Sequence, residues 1–259
     1  MSRHVLLSDS NLRVDNRRPL EIRPHIFSFD HIQGKEVDGS AYVEQGLTRV
    51  AATVSGPKPS PQSSLAASKD RVIINVEIDW IHFSGTEKRP RGKNDRRLVE
   101  LASSVKNTFE PVILAHLYPK STIEIGIIVL DQDGGILPAA INATSLALLH
   151  AGISLSSPVS SISLSCLHDT PFLDPNSIEE SELPTLTAAC LNNGGKITLI
   201  NMETRLSIER FEGMLNLAAD TVRVIGNEID RVSREWTEAT SGRMEQGRKG
   251  LEAKRLQQS

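Results

Sequence analysis

Asp131-Gln-Asp-Gly-Gly-Ile-Leu-Pro138 joins two stretches of different grammar, and its reading decides the fold. Before it, Ser121 to Leu130 is nearly all apolar, the pattern of a strand buried on both faces. After it, Ala139 to Ala151 has the make-up of a short helix, with Gly152 placed to end it. The segment is therefore a strand-to-helix loop. A Gly pair lets backbone N–H groups approach an anion closely, and a helix N-terminus adds partial positive charge. Phosphate chemistry also wants an Arg or Lys beside those amides. Here Ile136, Leu137 and Pro138 follow instead, so the loop has the shape of a phosphate site without its cation.

Outward from this loop the same grammar repeats. Residues 25–33, 40–45 and 48–55 are short and rich in β-branched and aromatic residues, with a Gln45-Gly46 turn between the last two, which predicts an antiparallel meander. Gly56 to Lys69 is Pro/Ser-rich and aperiodic, and reads as a loop. Val72, Ile74, Val76, Ile78 and Trp80 share one face of a half-buried strand. Leu98, Leu101, Val105, Phe109 and Val112 then recur at helical spacing.

In the second half Ile162, Leu164 and Cys166 alternate with serines, and Asn192-Asn193-Gly194-Gly195 separates two strand-like runs as a hairpin turn. A long helix begins near Ser207: Phe211, Met214, Leu215, Ala218, Val222, Ile225, Ile229, Val232 and Trp236 advance by threes and fours. One stripe of this kind covers a core; it does not require a coiled coil. After Thr240 the polar, basic sequence is expected to fray. Residues 1–240 thus read as one α+β domain of two pseudo-duplicated halves, about 1–120 and 121–240, with 241–259 as a polar tail.

Composition narrows the function. The 259 residues carry 29 Lys+Arg against 32 Asp+Glu, a net charge of −3, which excludes a generally basic nucleic-acid binder and makes any RNA contact local. Two cysteines, Cys166 and Cys190, are too few for a disulfide framework and read as small core residues. The Met1 to Arg18 segment is polar, unlike a signal peptide, and no apolar run reaches membrane-spanning length. A soluble cytosolic or nuclear protein with no membrane contact is expected. The seven histidines lack metal-ligand spacing, and no P-loop, Gly-x-Ser-x-Gly elbow or dinucleotide fingerprint occurs, so neither a metal site nor a cofactor is expected.

Two charged features remain. Lys88-Arg-Pro-Arg-Gly-Lys-Asn-Asp-Arg-Arg97 packs basic residues against a single acid. Most such runs are solvated surface. Arg96 and Arg97, however, fall at a predicted helix N-terminus, where the macrodipole disfavours each cation by ~0.3–1 kcal/mol. A phosphate backbone arriving there offsets that cost, and such contacts carry no sequence information. The second feature is acidic: Asp174, Glu179, Glu180 and Glu182 surround a Pro-Asn-Ser turn. Carboxylates so clustered can hold Mg2+ alongside phosphate oxygens, or form an ordinary acidic surface turn.

The chain resembles the RNase PH-like phosphorolytic exoribonucleases and the exosome ring subunits related to them, from about Leu6 to about Trp236. The resemblance is carried by Leu6-Leu-Ser-Asp9 with Arg13-Val-Asp-Asn-Arg-Arg18, by Asp38-Gly-Ser-Ala-Tyr-Val-Glu-Gln-Gly46, by Asp131-Gln-Asp-Gly-Gly135, and by Ile141-Asn-Ala-Thr-Ser-Leu-Ala-Leu-Leu-His-Ala-Gly-Ile153. It implies the RNase PH-like (ribosomal protein S5 domain 2-like) fold, two βαβα-like halves with helices packed on mixed sheets. It also implies a heterodimer with another RNase PH-like subunit inside a six-membered ring. Single-stranded RNA threads that ring, S1/KH cap proteins sit on top, and an associated hydrolytic 3′–5′ nuclease degrades and matures RNA in nucleus, nucleolus and cytoplasm.

In active members of the family the Gly-Gly loop continues Thr-Arg, which hold the attacking phosphate; the corresponding positions here are Ile136 and Leu137. A further active-site Arg or Lys corresponds to Ser103, and the two metal-associated aspartates correspond to Asp174 and Glu180. Replacing an Arg–phosphate pair by Leu removes charge-assisted bonds worth ~1.5–3 kcal/mol, together with transition-state stabilisation. The resemblance therefore implies a chain without catalytic residues or cofactor that guides RNA; the alternative is an active phosphate-dependent 3′–5′ exoribonuclease with its Arg supplied elsewhere. Arg96 and Arg97, with Arg91, Lys93 and Lys69, are the RNA contacts it implies.

Overall fold

The computed structural model describes residues 6–258 except 9, 33, 35, 60–71, 82–83, 85–94, 169 and 203, with 246–258 described as backbone alone. A five-stranded sheet contains β1 (His25–Phe29), β2 (Gly39–Gln45), β3 (Thr48–Pro59), β4 (Ile73–Trp80) and β5 (Ser121–Asp131) in the order β1-β2-β3-β5-β4. Only the β4–β5 pair is parallel. Helix α1 (Arg96–Phe109) provides the crossover that a parallel pair requires. β5 therefore enters the first sheet, which takes strands from both sides of residue 120.

The strand patterns explain the layers. Ala41, Val43, Val50, Ala52, Val54, Ile74, Ile78, Ile123, Ile125, Ile127 and Val129 occupy the inner face and are buried, joined by Val105 and Phe109 of α1. The expectation that β5 is buried on both faces is corrected: Glu124 is exposed, and Gly126, Ile128 and Leu130 are half-buried. α1 and α2 (Ile136–His150) both join the core on the inner face, which leaves these residues open.

α2 touches β2 and β3 on one side and reaches β6 (Val159–Leu167) and β8 (Thr185–Leu191) on the other, which is why every residue from Ile136 to Leu148 is buried. The sequence reading began this helix at Ala139, after Pro138. The helix starts three residues earlier because a proline in the first turn forfeits only an N–H that has no intrahelical partner. At its other end Gly152 adopts φ +70° and the Ile153 N–H reaches Leu148 O, a glycine-terminated cap as expected.

A second, antiparallel sheet has the order β7-β6-β8-β9, with β7 at Thr170–Leu173 and β9 at Ile197–Met202. The hairpin turn at Asn192–Gly195 joins β8 to β9 as predicted. A short helix, α3 (Ser177–Glu182), follows β7, and α4 (Ile208–Gln258) covers β6 and β8 through Met214, Ala218, Val222, Ile225 and Ile229. The expected fraying after Thr240 is not found: α4 continues unbroken to Gln258. No proline lies beyond Pro184, and Glu, Ala, Arg, Lys and Gln sustain a helix by intrinsic propensity. Cys166 and Cys190 are both buried in the core, as read from the sequence.

Candidate functional site

The loop between β5 and α2 turns through two left-handed glycines, Gly134 (φ +78°) and Gly135 (φ +65°). Gly134 is fixed by contact as well as conformation, since a Cβ there would lie 2.8 Å from Pro175 O and 2.9 Å from Ser177 N. Gly135 is the α2 N-cap and has no side chain to accept from the first-turn amides. Its own N–H donates to Glu180 Oε2 at 3.0 Å. Ile136 and Leu137 are each only 6 % exposed and pack in the main core, so neither side chain can meet an anion in solvent. Thr48 steadies the turn: its hydroxyl donates to Gly134 O at 2.7 Å and accepts from Asp133 N at 2.9 Å.

The acidic turn behind this loop is not a cluster of free carboxylates. Asp174, fully buried at φ +53°, receives Arg23 Nη2 on Oδ1 at 2.6 Å and Arg23 Nε on Oδ2 at 2.8 Å, with Gln45 Nε2 on Oδ1 at 2.7 Å. Arg23 further donates to Asp133 O at 2.6 Å and Gly134 O at 3.4 Å. Glu179, also fully buried, pairs with Arg13, whose Nε reaches Oε1 at 2.8 Å and whose Nη1 reaches Leu173 O at 2.6 Å. Glu179 also closes a capping box with Asn176 at the start of α3.

Glu182 is exposed, and Glu180 faces the Gly135 amide. Among the described residues no group of three or more His, Cys, Asp or Glu could hold a metal ion. The turn at Asp174, Glu179, Glu180 and Glu182, read from the sequence as either a Mg2+-holding cluster or an acidic surface turn, consists instead of two buried ion pairs, one carboxylate on a backbone amide and one exposed acid. The physical reason is that the arginines of residues 13–23 lie over the turn.

Electrostatics follow the geometry. Burial pushes the Asp174 carboxyl up, but the hydrogen bonds and charge of Arg23, helped by His25 and Arg17, outweigh it and hold it below the ordinary carboxylate value. Burial likewise works against the Arg23 charge, while Asp174, Asp133 and Asp15 raise its pKa. Burial lowers the His25 imidazole, against the charge of Asp174 and the 2.9 Å contact of Nδ1 with Arg23 O. Sequence reasoning missed Arg23. Its only signal was position in an Arg-rich opening segment, since its carboxylate partner lies 151 residues away.

Arg96 and Arg97 open α1 and are exposed, as the spacing predicts. Asp95 caps the helix by accepting from Arg97 N at 3.1 Å. Ser103 is exposed one to two turns further on. Lys69, Arg91 and Lys93 lie outside the described residues.

Comparison with known proteins agrees with this architecture. Residues 21–154 match the 3′ exoribonuclease family, domain 1, and residues 157–221 match domain 2 of that family. The chain belongs to the RNase PH-like 3′ exoribonuclease family. The two matched segments meet between α2 and β6, where the first sheet and its helices give way to the second. Exosome complex component SKI6 of Saccharomyces cerevisiae is 37 % identical over 217 residues, 83 % of this chain and 87 % of that protein. Exosome complex component RRP41 of Homo sapiens is 36 % identical over 242 residues, 91 % of this chain and 96 % of that one.

Among solved structures, rice Rrp46 superposes with a TM-score of 0.71 at 25 % identity, covering 86 % of this chain and 98 % of its own. A chain of the Archaeoglobus fulgidus exosome with RNA bound to the active site shares the fold, with a TM-score of 0.74 at 20 % identity over 85 % of this chain and 93 % of its own. In this chain the two residues after the Gly-Gly turn, Ile136 and Leu137, are apolar and buried.

Proposed function

We propose that this chain is a non-catalytic core subunit of an exosome ring, guiding single-stranded RNA through the central channel to an associated 3′–5′ nuclease. Two supports bear on the ring assignment: its 36–37 % identity to exosome complex components over most of its length, and its likeness to structures of exosome subunits. The observation that carries the non-catalytic reading is the burial of Ile136 and Leu137 at the turn, where phosphate-gripping residues would stand. The partners are other RNase PH-like subunits, S1/KH cap proteins, the nuclease and RNA, and the places of action are nucleus, nucleolus and cytoplasm.

An active phosphate-dependent exoribonuclease would need a substitute cation, and Arg23 is the nearest to Gly135. Its guanidinium is committed to Asp174, Asp133 O and Gly134 O, so it has little capacity left for phosphate. The deciding experiment incubates the reconstituted ring, without any hydrolytic nuclease, with single-stranded RNA, Mg2+ and inorganic phosphate. No nucleoside diphosphate is expected. Release by the wild-type ring that stops on Asp174→Asn in an intact ring overturns the reading.

A further inference from the structure

Resting on the non-catalytic reading, we infer that Glu180 is the resident anion of the Gly134-Gly135 turn. Its carboxylate occupies the N-terminus of α2 where a tetrahedral oxyanion would otherwise bind.

Four features support this. Gly135 N donates to Glu180 Oε2 at 3.0 Å, and Gly135 begins a 15-residue helix whose first amides have no intrahelical partner. The carboxylate is delivered by a fixed platform: Asp133 Oδ1 accepts from Ser177 N at 3.3 Å and from Ser177 Oγ at 3.1 Å, and Gly134 fits beneath Pro175 and Asn176. α3 is thereby held against the turn, and Glu180 N bonds Asn176 O at 2.8 Å. The wall of the turn also retains unused polar capacity. Ser163 Oγ is without a hydrogen-bond partner in a residue only 4 % exposed, and it lies 3.4 Å from where a Cβ on Gly135 would be. On the same side, Arg23 Nη2 stands 3.2 Å from that point.

Loss of a cation from a phosphate cradle would leave amides that still attract anions weakly. A carboxylate supplied by the chain takes the Gly135 amide and closes the turn to phosphate. The turn is thus occupied from within, in addition to being followed by the apolar Ile136 and Leu137.

The test uses the full chain in the reconstituted ring and follows hydrogen–deuterium exchange of the peptide containing Gly135. It compares wild type, Glu180→Ala and Glu180→Gln, with sodium phosphate or with sodium chloride at matched ionic strength. In wild type the peptide exchanges slowly, and phosphate changes nothing. In Glu180→Ala exchange accelerates roughly tenfold, as for loss of a charge-assisted hydrogen bond. Phosphate slows it again, and chloride does not. Glu180→Gln keeps an acceptor on the amide but loses the charge, so its exchange falls between wild type and Glu180→Ala; exchange as fast as in Glu180→Ala overturns the inference. Should the Ala variant fail to assemble, Glu180→Asp serves, because its shorter side chain withdraws the carboxylate from Gly135.

Wild-type exchange rates in the Ala variant, acceleration that phosphate does not reverse, or an equal phosphate effect on wild type each overturn the inference. Release of nucleoside diphosphates by the wild-type ring overturns the non-catalytic reading instead, whatever this peptide does.

Discussion

Arg23 and Asp174 form a bidentate pair out of contact with solvent, and the Arg13–Glu179 pair lies beside it. Removing one member of such a pair strands a charge in a low-dielectric interior. Arg23→Met is expected to destabilise the chain by ~3–5 kcal/mol in urea unfolding, with Arg23→Lys recovering only part because the fork geometry is lost. The same residues set the acid response. Asp174 and His25 both have folded pKa values below their ordinary ones, so the unfolded chain binds more protons and stability falls as pH descends.

The His25 contribution is complete above its ordinary 6.5 and is lost below it, while that of Asp174 is lost below its ordinary 3.8. The urea midpoint should therefore decline in two stages from pH 7 downward, and His25→Gln should diminish the first. At this scale the sequence was least legible. Asp174 stood out as an acid in a turn, but nothing near it announced a partner 151 residues earlier. The turn consequently looked like a surface or metal site when it is interior and paired.

Elements were far more legible, because their signals are local. The period-two face of β4, the meander β1–β2–β3 and the stripe of α4 each follow from side chains a few positions apart. The errors came where tertiary cover decides: β5 is as apolar as a doubly buried strand, yet its second face is left half-open. α1 shows the reverse, a local preference that the sequence does not follow. It opens on two exposed arginines and has no acidic residue in its first turn, with Asp95 as the offsetting N-cap. Arg96→Glu with Arg97→Glu is expected to weaken RNA binding by the assembled ring. The slope of log affinity against log salt should become shallower by about 0.7 for each phosphate no longer neutralised. Binding and degradation indistinguishable from wild type would remove α1 from the RNA path.

The two sheets and the helix between them make one molecule whose core, among the described side chains, stops part-way along α4. Among the described side chains, Ile229, Val232 and Trp236 are the last of α4 packed on the rest of the chain, Trp236 meeting Phe29 and His150. Beyond Thr237 the described side-chain bonds stay within the helix, as in Ser241 to Glu238 O and Arg243 to Ala239 O. Deleting 241–259 should therefore change unfolding free energy by less than ~0.5 kcal/mol. A reduced affinity of the truncated chain for the ring or its nuclease would then report a contact made by that segment.

The buried arginine pairs also have a temporal consequence. Arg13 and Arg23 are synthesised before their carboxylates, which follow 166 and 151 residues later. Until then the opening arm carries unmatched positive charge and cannot take its final place. Contacts of such long sequence separation are closed late and slow folding. The arm is thus synthesised well before its partners and is among the last parts to be fastened, and its docking marks the point at which the second half has folded.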